Sequence, residues 1–219
     1  MGLLIYEAAK FPKDFDIMDT SLVCHYTPKR AQDFYHWHQS VLQDRIHYLL
    51  NFCSQASGIA YERLYSFPDG SLPLWRWFLQ VVETVPLTPE EKEKMFQKLA
   101  PQMKGHPPQV ISDVISDMIP DWVLSKKSEE ILWDIAMYVG DGFTRLSPKL
   151  HWELFRDHKA DVSYNRAVVR GFTPPGIVPG RTAWAEPLGL VRVQALHFVK
   201  GTGSEYGLQD IIMQRMSGV

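Results

Sequence analysis

Cysteine is scarce in this sequence. Cys24 and Cys53 are its only thiols, and their separation matches no zinc or redox spacing. They read as reduced, partly buried thiols rather than a disulfide. Long apolar runs are missing as well. No stretch approaches the roughly 20 residues of a membrane span. Gly2-Leu3-Leu4-Ile5 is too short for a secretory leader, lacks a basic flank and is soon followed by Glu7. The expected compartment is the cytoplasm, with no membrane contact. The formal charge is only −2, and no dense basic cluster of the nucleic-acid-binding kind occurs.

Motifs of chemistry are equally sparse. There is no phosphate loop, no paired Cys-x-x-Cys, no His-Glu-x-x-His and no nucleophile motif. Gly201-Thr202-Gly203-Ser204, followed by Gly207, is the nearest approach to a dinucleotide fingerprint. It lacks both the strand–turn–helix context and the downstream acid. No cofactor and no metal are expected, and an enzyme is not the favoured class.

What is present is ordinary for a globular chain: 45% apolar and 22% charged residues. A chain of 219 residues hides roughly 70% of its unfolded surface, enough for a core without disulfides. A single domain over residues 1–219 is expected. The aromatic load is 12%, with seven Trp, and such side chains favour unique packing and are enriched at interfaces. The charge is uneven. Arg145 to Lys200 carries nine Lys/Arg against four Asp/Glu, an excess of +5, so the remainder carries −7.

Local signals divide the chain. Met1 to Tyr26 reads as one or two short strands, with turns at Phe11–Asp14 and Asp19–Ser21. Thr27-Pro28 is a helix entry, and the helix runs to about Ser54. Its apolar residues fall on two faces, so a central strut is expected. Tyr61 to Phe67 alternates like a strand, Pro68-Asp69-Gly70 is a turn, and Ser71 begins a helix with Leu72, Trp75, Phe78, Leu79 and Val82 inward. Thr88-Pro89-Glu90-Glu91 starts another helix, with acids at its positive end. Pro107-Pro108 opens one more, which ends near Met118. The strongest runs from about Ser128 to Leu146, with Leu132, Ile135, Ala136, Val139, Phe143 and Leu146 within one arc of about 100°. His151–Phe155 and Ala167–Val169 read as strands. Thr173 to Gly189, rich in Pro and Gly, interrupts regular structure, and a last helix covers Leu208 to Met216. The expected class is α+β: a helix-rich N-terminal two thirds packed with a small, mostly antiparallel sheet, then an irregular Pro/Gly-rich C-terminal part.

Three constellations are candidates for chemistry. His36, His38 and His47 share one helix, but only Asp44 and His47 have ligand spacing, and no second helix supplies a partner motif. Asp134, Tyr138, Asp141 and Arg145 recur at helical spacing opposite the apolar arc. They read as a solvated face with an Asp141–Arg145 pair at i,i+4. The sharper alternative lays both carboxylates along a cleft, with Gly140 and Gly142 permitting close approach. The third is Lys159-Ala-Asp161-Val-Ser-Tyr164-Asn165-Arg166, which reads first as a turn whose side chains bond its own backbone.

Trp75-Arg-Trp77-Phe78-Leu79, Asp134 to Asp141, Leu150-His-Trp152, Lys159 to Asn165 and Gly171-Phe172 together resemble a family of small bacterial proteins that has no assigned activity. The resemblance covers roughly residues 60 to 172, and it departs at Asp141, where the family carries Glu. Members of such families look like immunity proteins of bacterial toxin systems, which implies a protein-binding role. The expectation is a non-enzymatic binder of a protein partner, a toxin in its most concrete form, presenting Trp, Tyr and charged groups at its surface. The binding candidates are Asp134, Tyr138, Asp141, Arg145, Trp152, Lys159, Asp161 and Asn165. The alternative is an enzyme or small-ligand binder with a carboxylate-lined cleft around Asp134/Asp141 and Asp161/Asn165.

Overall fold

The computed structural model describes residues 5–103, 105, 107–173 and 183–217. The first elements are a 3-10 segment, Ile17–His25, and the helices α1 (Pro28–Ser57), α2 (Tyr61–Tyr65) and α3 (Ser71–Val81). They are followed by β1 (Thr84–Pro86), α4 (Pro89–Leu99), α5 (Pro108–Met118), β2 (Trp122–Leu124) and α6 (Lys126–Leu146). The chain continues with β3 (His151–Leu154), β4 (Ala167–Phe172), β5 (Ala183–Ala185), α7 (Pro187–Val199) and α8 (Gly207–Met216). The fold is α+β and helix-rich, with small antiparallel sheets.

Contacts sort the chain into two compact units, residues 1–81 with 126–219, and residues 82–125. In the larger unit, β4 lies between β3 and β5, with Trp152 opposite Val169 and Val169 opposite Ala185. Helix α6 packs on both α1 and α7, and every residue from Ile131 to Phe143 is buried. The smaller unit is closed at its neck by β1–β2 pairing, Thr84 opposite Leu124. The Ser125 amide reinforces it by donating to the Glu83 carbonyl at 2.8 Å. Helices α4 and α5 pack on each other within this unit.

Several starts follow the expected chemistry. The Thr27 hydroxyl accepts from the Arg30 amide at 3.3 Å, and Gly58 ends α1 in the left-handed region at φ 73°, where a side chain is strained. Thr88 and Glu91 form a reciprocal capping box at the start of α4.

Four expectations are corrected. Tyr61–Tyr65 is a helical turn rather than a strand, because Leu64 turns fully inward while Tyr61 and Tyr65, four apart, stack on each other. Among the described residues before Tyr26 there is no strand; a turn closed from Phe15 to Pro12 leads into the 3-10 segment. The central strut is α6 and not α1, whose buried residues form one stripe through Ala31, Phe34, His38, Leu42, Ile46, Leu49 and Cys53. Finally, α7 rises from a tract expected to be irregular: the Glu186 side chain accepts from the Gly189 amide at 2.9 Å, with Pro187 in the first turn. Residues 174–182 of the tract expected to interrupt regular structure lie outside the described residues.

Candidate functional site

A helix enclosed on every side must satisfy each polar group it carries, and α6 carries two carboxylates in its middle. Asp134 is fully buried. Arg45 of α1 donates to it through Nε at 3.1 Å and Nη2 at 2.5 Å, and the Tyr6 hydroxyl donates to its Oδ2. Arg45 also donates to the Glu7 carbonyl at 2.8 Å, while the Glu7 amide donates to the Tyr48 hydroxyl at 2.6 Å. The N-terminal segment is thus tied to α1 through Asp134. Burial holds the Asp134 carboxyl above its ordinary range, against the opposing pull of Arg45. Asp141 is also buried, accepting from Gln43 Nε2 at 2.7 Å and pairing with Arg145 Nε at 3.0 Å.

The solvated face expected of this stripe is therefore a mistaken reading, although the Asp141–Arg145 pair exists. Tyr138 is buried too, its hydroxyl donating to the Leu64 carbonyl at 2.8 Å. The two glycines explain how neighbours come so close. A Cβ on Gly140 would stand 2.1 Å from Trp152 Cζ2, and one on Gly142 would stand 2.4 Å from Phe67 Cδ2.

The remaining candidates are dispersed. Asp161 accepts from the Ser163 amide at 2.7 Å, forming the expected local turn. Asn165 sits at φ 63°, with its amide turned to the carbonyls of Val23, Cys24 and Tyr26. Lys159 is exposed. No hydrogen bond described joins Asp161 or Asn165 to Asp134 or Asp141, and none of the four lines any described cavity.

Trp152, packed against Gly140 of α6, also lines a cavity of about 40 Å³ with His38, Trp133, Arg166, Glu186 and Thr20. That space holds about three waters, far below the roughly 300 Å³ of a small-molecule site. Two indole N–H groups on its lining residues, Trp133 and Trp152, have no acceptor, as ordered water would explain. His38, its ring 4.9 Å from that of Trp152, is pushed down by burial to a pKa of about 4. A wider apolar groove of about 400 Å³ is lined by Tyr6, Phe52, Trp77, Lys127 and Ile131 among others; no candidate carboxylate opens onto it. Among the described residues no three His, Cys, Asp or Glu side chains cluster as a metal site requires. None of the helices described is long and apolar enough to cross a membrane.

The tryptophans also depart from expectation, since none is exposed. The accessible aromatic cluster is built by other residues: His47 on α1 and Tyr61 and Tyr65 on α2. Their rings lie in nearly parallel planes, with centroids 6.1, 6.2 and 6.0 Å apart, and His47 Nδ1 contacts the Tyr61 hydroxyl at 2.5 Å. The Arg145 guanidinium lies over Tyr65, 4.4 Å from the ring centre. His47 is exposed and the two tyrosines are half-buried. Of the predicted residues, only Arg145 belongs here. The missed signal is the Tyr-x-x-x-Tyr spacing, which a strand reading splits and a helix reading joins.

Comparison with protein-family models, with curated proteins and with solved structures found no match.

Proposed function

We propose that this chain is a non-enzymatic protein-binding protein acting in the cytoplasm, and that the His47/Tyr61/Tyr65/Arg145 cluster forms part of its binding surface. The cluster itself carries the reading. Tyr and Arg are among the side chains that dominate binding hot spots, and rigid rings lose little entropy on binding. Arg145 is held in place before any partner arrives, by Asp141 at 3.0 Å and by the Tyr65 ring, which lowers the ordering cost of association. The concrete form of this function is the neutralisation of a bacterial toxin by direct binding, a proposal that rests on the family resemblance. The acidic excess outside residues 145–200 would steer a basic toxin toward the chain. The rival enzyme or ligand-binding reading relies on carboxylates that are engaged in the ion pair of Asp134 and the contacts of Asp141.

The test is affinity capture from the native host, at low and high salt, with wild type and Tyr61→Ala/Tyr65→Ala as baits. A stoichiometric protein retained by wild type and weakened about 30-fold or more by the double variant is expected, the scale for one hot-spot loss of about 2 kcal/mol. Equal capture by both baits would remove the cluster from the interface. A wild-type preparation without any stoichiometric protein would count against protein binding itself.

A further inference from the structure

Helix α5 contains a tandem tetrapeptide, Val110-Ile111-Ser112-Asp113 then Val114-Ile115-Ser116-Asp117, followed by Met118. A repeat of four turns through about 400°, so each residue type drifts only about 40° per repeat and forms its own stripe. The isoleucines face inward, with Ile115 fully buried. The valines and Met118 do not: Val110 is 42% exposed, Val114 39% and Met118 61%. Taking about 100° per residue, these three span about 80°, and Asp113 and Asp117 lie immediately beside them. Both aspartates are exposed.

Single exposed apolar residues need no explanation, but a continuous stripe in this unit does. Among its described residues only Ile115, Leu124 and Ser125 are buried. A unit with so small a core places three of its apolar side chains on the outer face of one helix. That face has a defined electrostatic sign. Helix α5 bears two aspartates and no basic residue, and residues 82–125 carry seven acidic against four basic residues. A second copy docking α5 to α5 would bring aspartates against aspartates, which is unfavourable.

We infer that the outer face of α5 (Val110, Val114, Met118, Asp113, Asp117) is a docking surface for a protein element whose apolar ridge is flanked by Lys or Arg. The apolar stripe supplies contact area, as in helix-in-groove recognition, and the aspartates select the sign of the partner's rim. This surface stands on α5 alone and is independent of the His47/Tyr61/Tyr65/Arg145 cluster.

The test uses the full isotope-labelled chain and two synthetic amphipathic helical peptides, one Leu/Lys and one Leu/Glu. Amide shifts confined to α5 are expected with the Leu/Lys peptide and none with the Leu/Glu peptide. Val114→Ser/Met118→Ser should weaken binding about tenfold or more, and Asp113→Asn/Asp117→Asn should weaken it and flatten its salt dependence. Glu90→Gln/Glu93→Gln, which removes the same charge from α4, should change nothing. All these positions are exposed, and unchanged thermal melts would confirm intact folding. Equal loss in the α4 variant, shifts spread over other acidic surfaces, or equal binding of both peptides would overturn the inference. So would a concentration-dependent dimer of the wild type that Met118→Ser abolishes, which would make a second copy the occupant.

Discussion

Replacing Arg45 by Leu strands Asp134 in the core. Asp134 is fully buried and draws its hydrogen bonds from Arg45 and Tyr6, so the substitution leaves one hydroxyl to support a whole charge. Removing one partner of a buried ion pair costs about 3–5 kcal/mol. Arg45 also holds the Glu7 carbonyl and lies 4.5 Å over the Tyr48 ring, which places the expectation at the upper end of that range. At about 2–4 °C per kcal/mol for a domain of this size, a cost of about 5 kcal/mol should lower the melting temperature by about 10–20 °C.

The loss has a pH signature whose sign can be worked out. Burial already raises the Asp134 carboxyl above its ordinary range, and Arg45 opposes that rise; without Arg45 the carboxyl rises further. A group with a raised folded-state pKa contributes stability that is fully present below its unfolded pKa and is lost as pH rises through the folded one. The deficit of Arg45→Leu should therefore be larger at pH 8 than at pH 5. Urea unfolding followed by tryptophan fluorescence at the two pH values measures it. Adding Asp134→Asn removes the stranded charge and should recover about 2 kcal/mol or more at pH 8, part of the cost of an unpaired buried charge. A deficit under about 1 kcal/mol, an equal deficit at both pH values, or a double variant no better than the single would refute the reasoning.

His38 and Gly140 give two more tests. With His38 held to a pKa of about 4 against about 6.5 unfolded, the unfolded chain takes up the proton first. Stability is therefore full above about pH 6.5 and declines by about 3 kcal/mol on the way to pH 4. His38→Phe should remove that slope in urea titrations across the window, and an unchanged slope would assign it to other groups. Gly140→Ala drives a methyl into the Trp152 ring and should cost about 1–3 kcal/mol, the usual range for overpacking. Gly105→Ala, where nothing lies within 4 Å, serves as a control affected only by its positive φ. Unfolding free energies of the two variants side by side decide the matter.

The parts of the fold legible in the sequence are those specified by neighbours along the chain. Thr27-Pro28 and Thr88-Pro89-Glu90-Glu91 announce α1 and α4 because a cap and a proline, joined in α4 by an acidic first turn, act within four residues. Helix α7 is hidden because its cap is a glutamate, Glu186, outside the preferred cap residues. Its apolar residues also show no single face, and its proline continues a Pro/Gly-rich tract. The burial of Asp134 and Asp141 is hidden for a different reason. A 3.6-residue period separates polar from apolar faces, but it cannot tell water from an arginine 89 positions away or a glutamine 98 positions away. The local clue is Gly140 and Gly142, glycines that a solvated helix face has no use for.

The same arrangement explains why only one residue of the predicted stripe reaches the candidate interface. Along α6 the carboxylates descend from full burial at Asp134 to slight exposure at Asp141, and the pattern ends at Arg145, whose side chain is a third exposed. The helix leaves the core at that point. Arg145 faces two ways, with its Nε on buried Asp141 and its guanidinium plane over half-buried Tyr65. Asp141 is held in turn by Gln43 of α1, the helix that also presents His47. The accessible rings are therefore carried by two helices, α1 and α2, and braced by Arg145 of a third, α6. A binding surface so mounted can keep its geometry while its exposed atoms vary. On this reasoning the buried stripe sets the orientation of Arg145, and in the interface proposed above the specificity would rest on His47, Tyr61 and Tyr65.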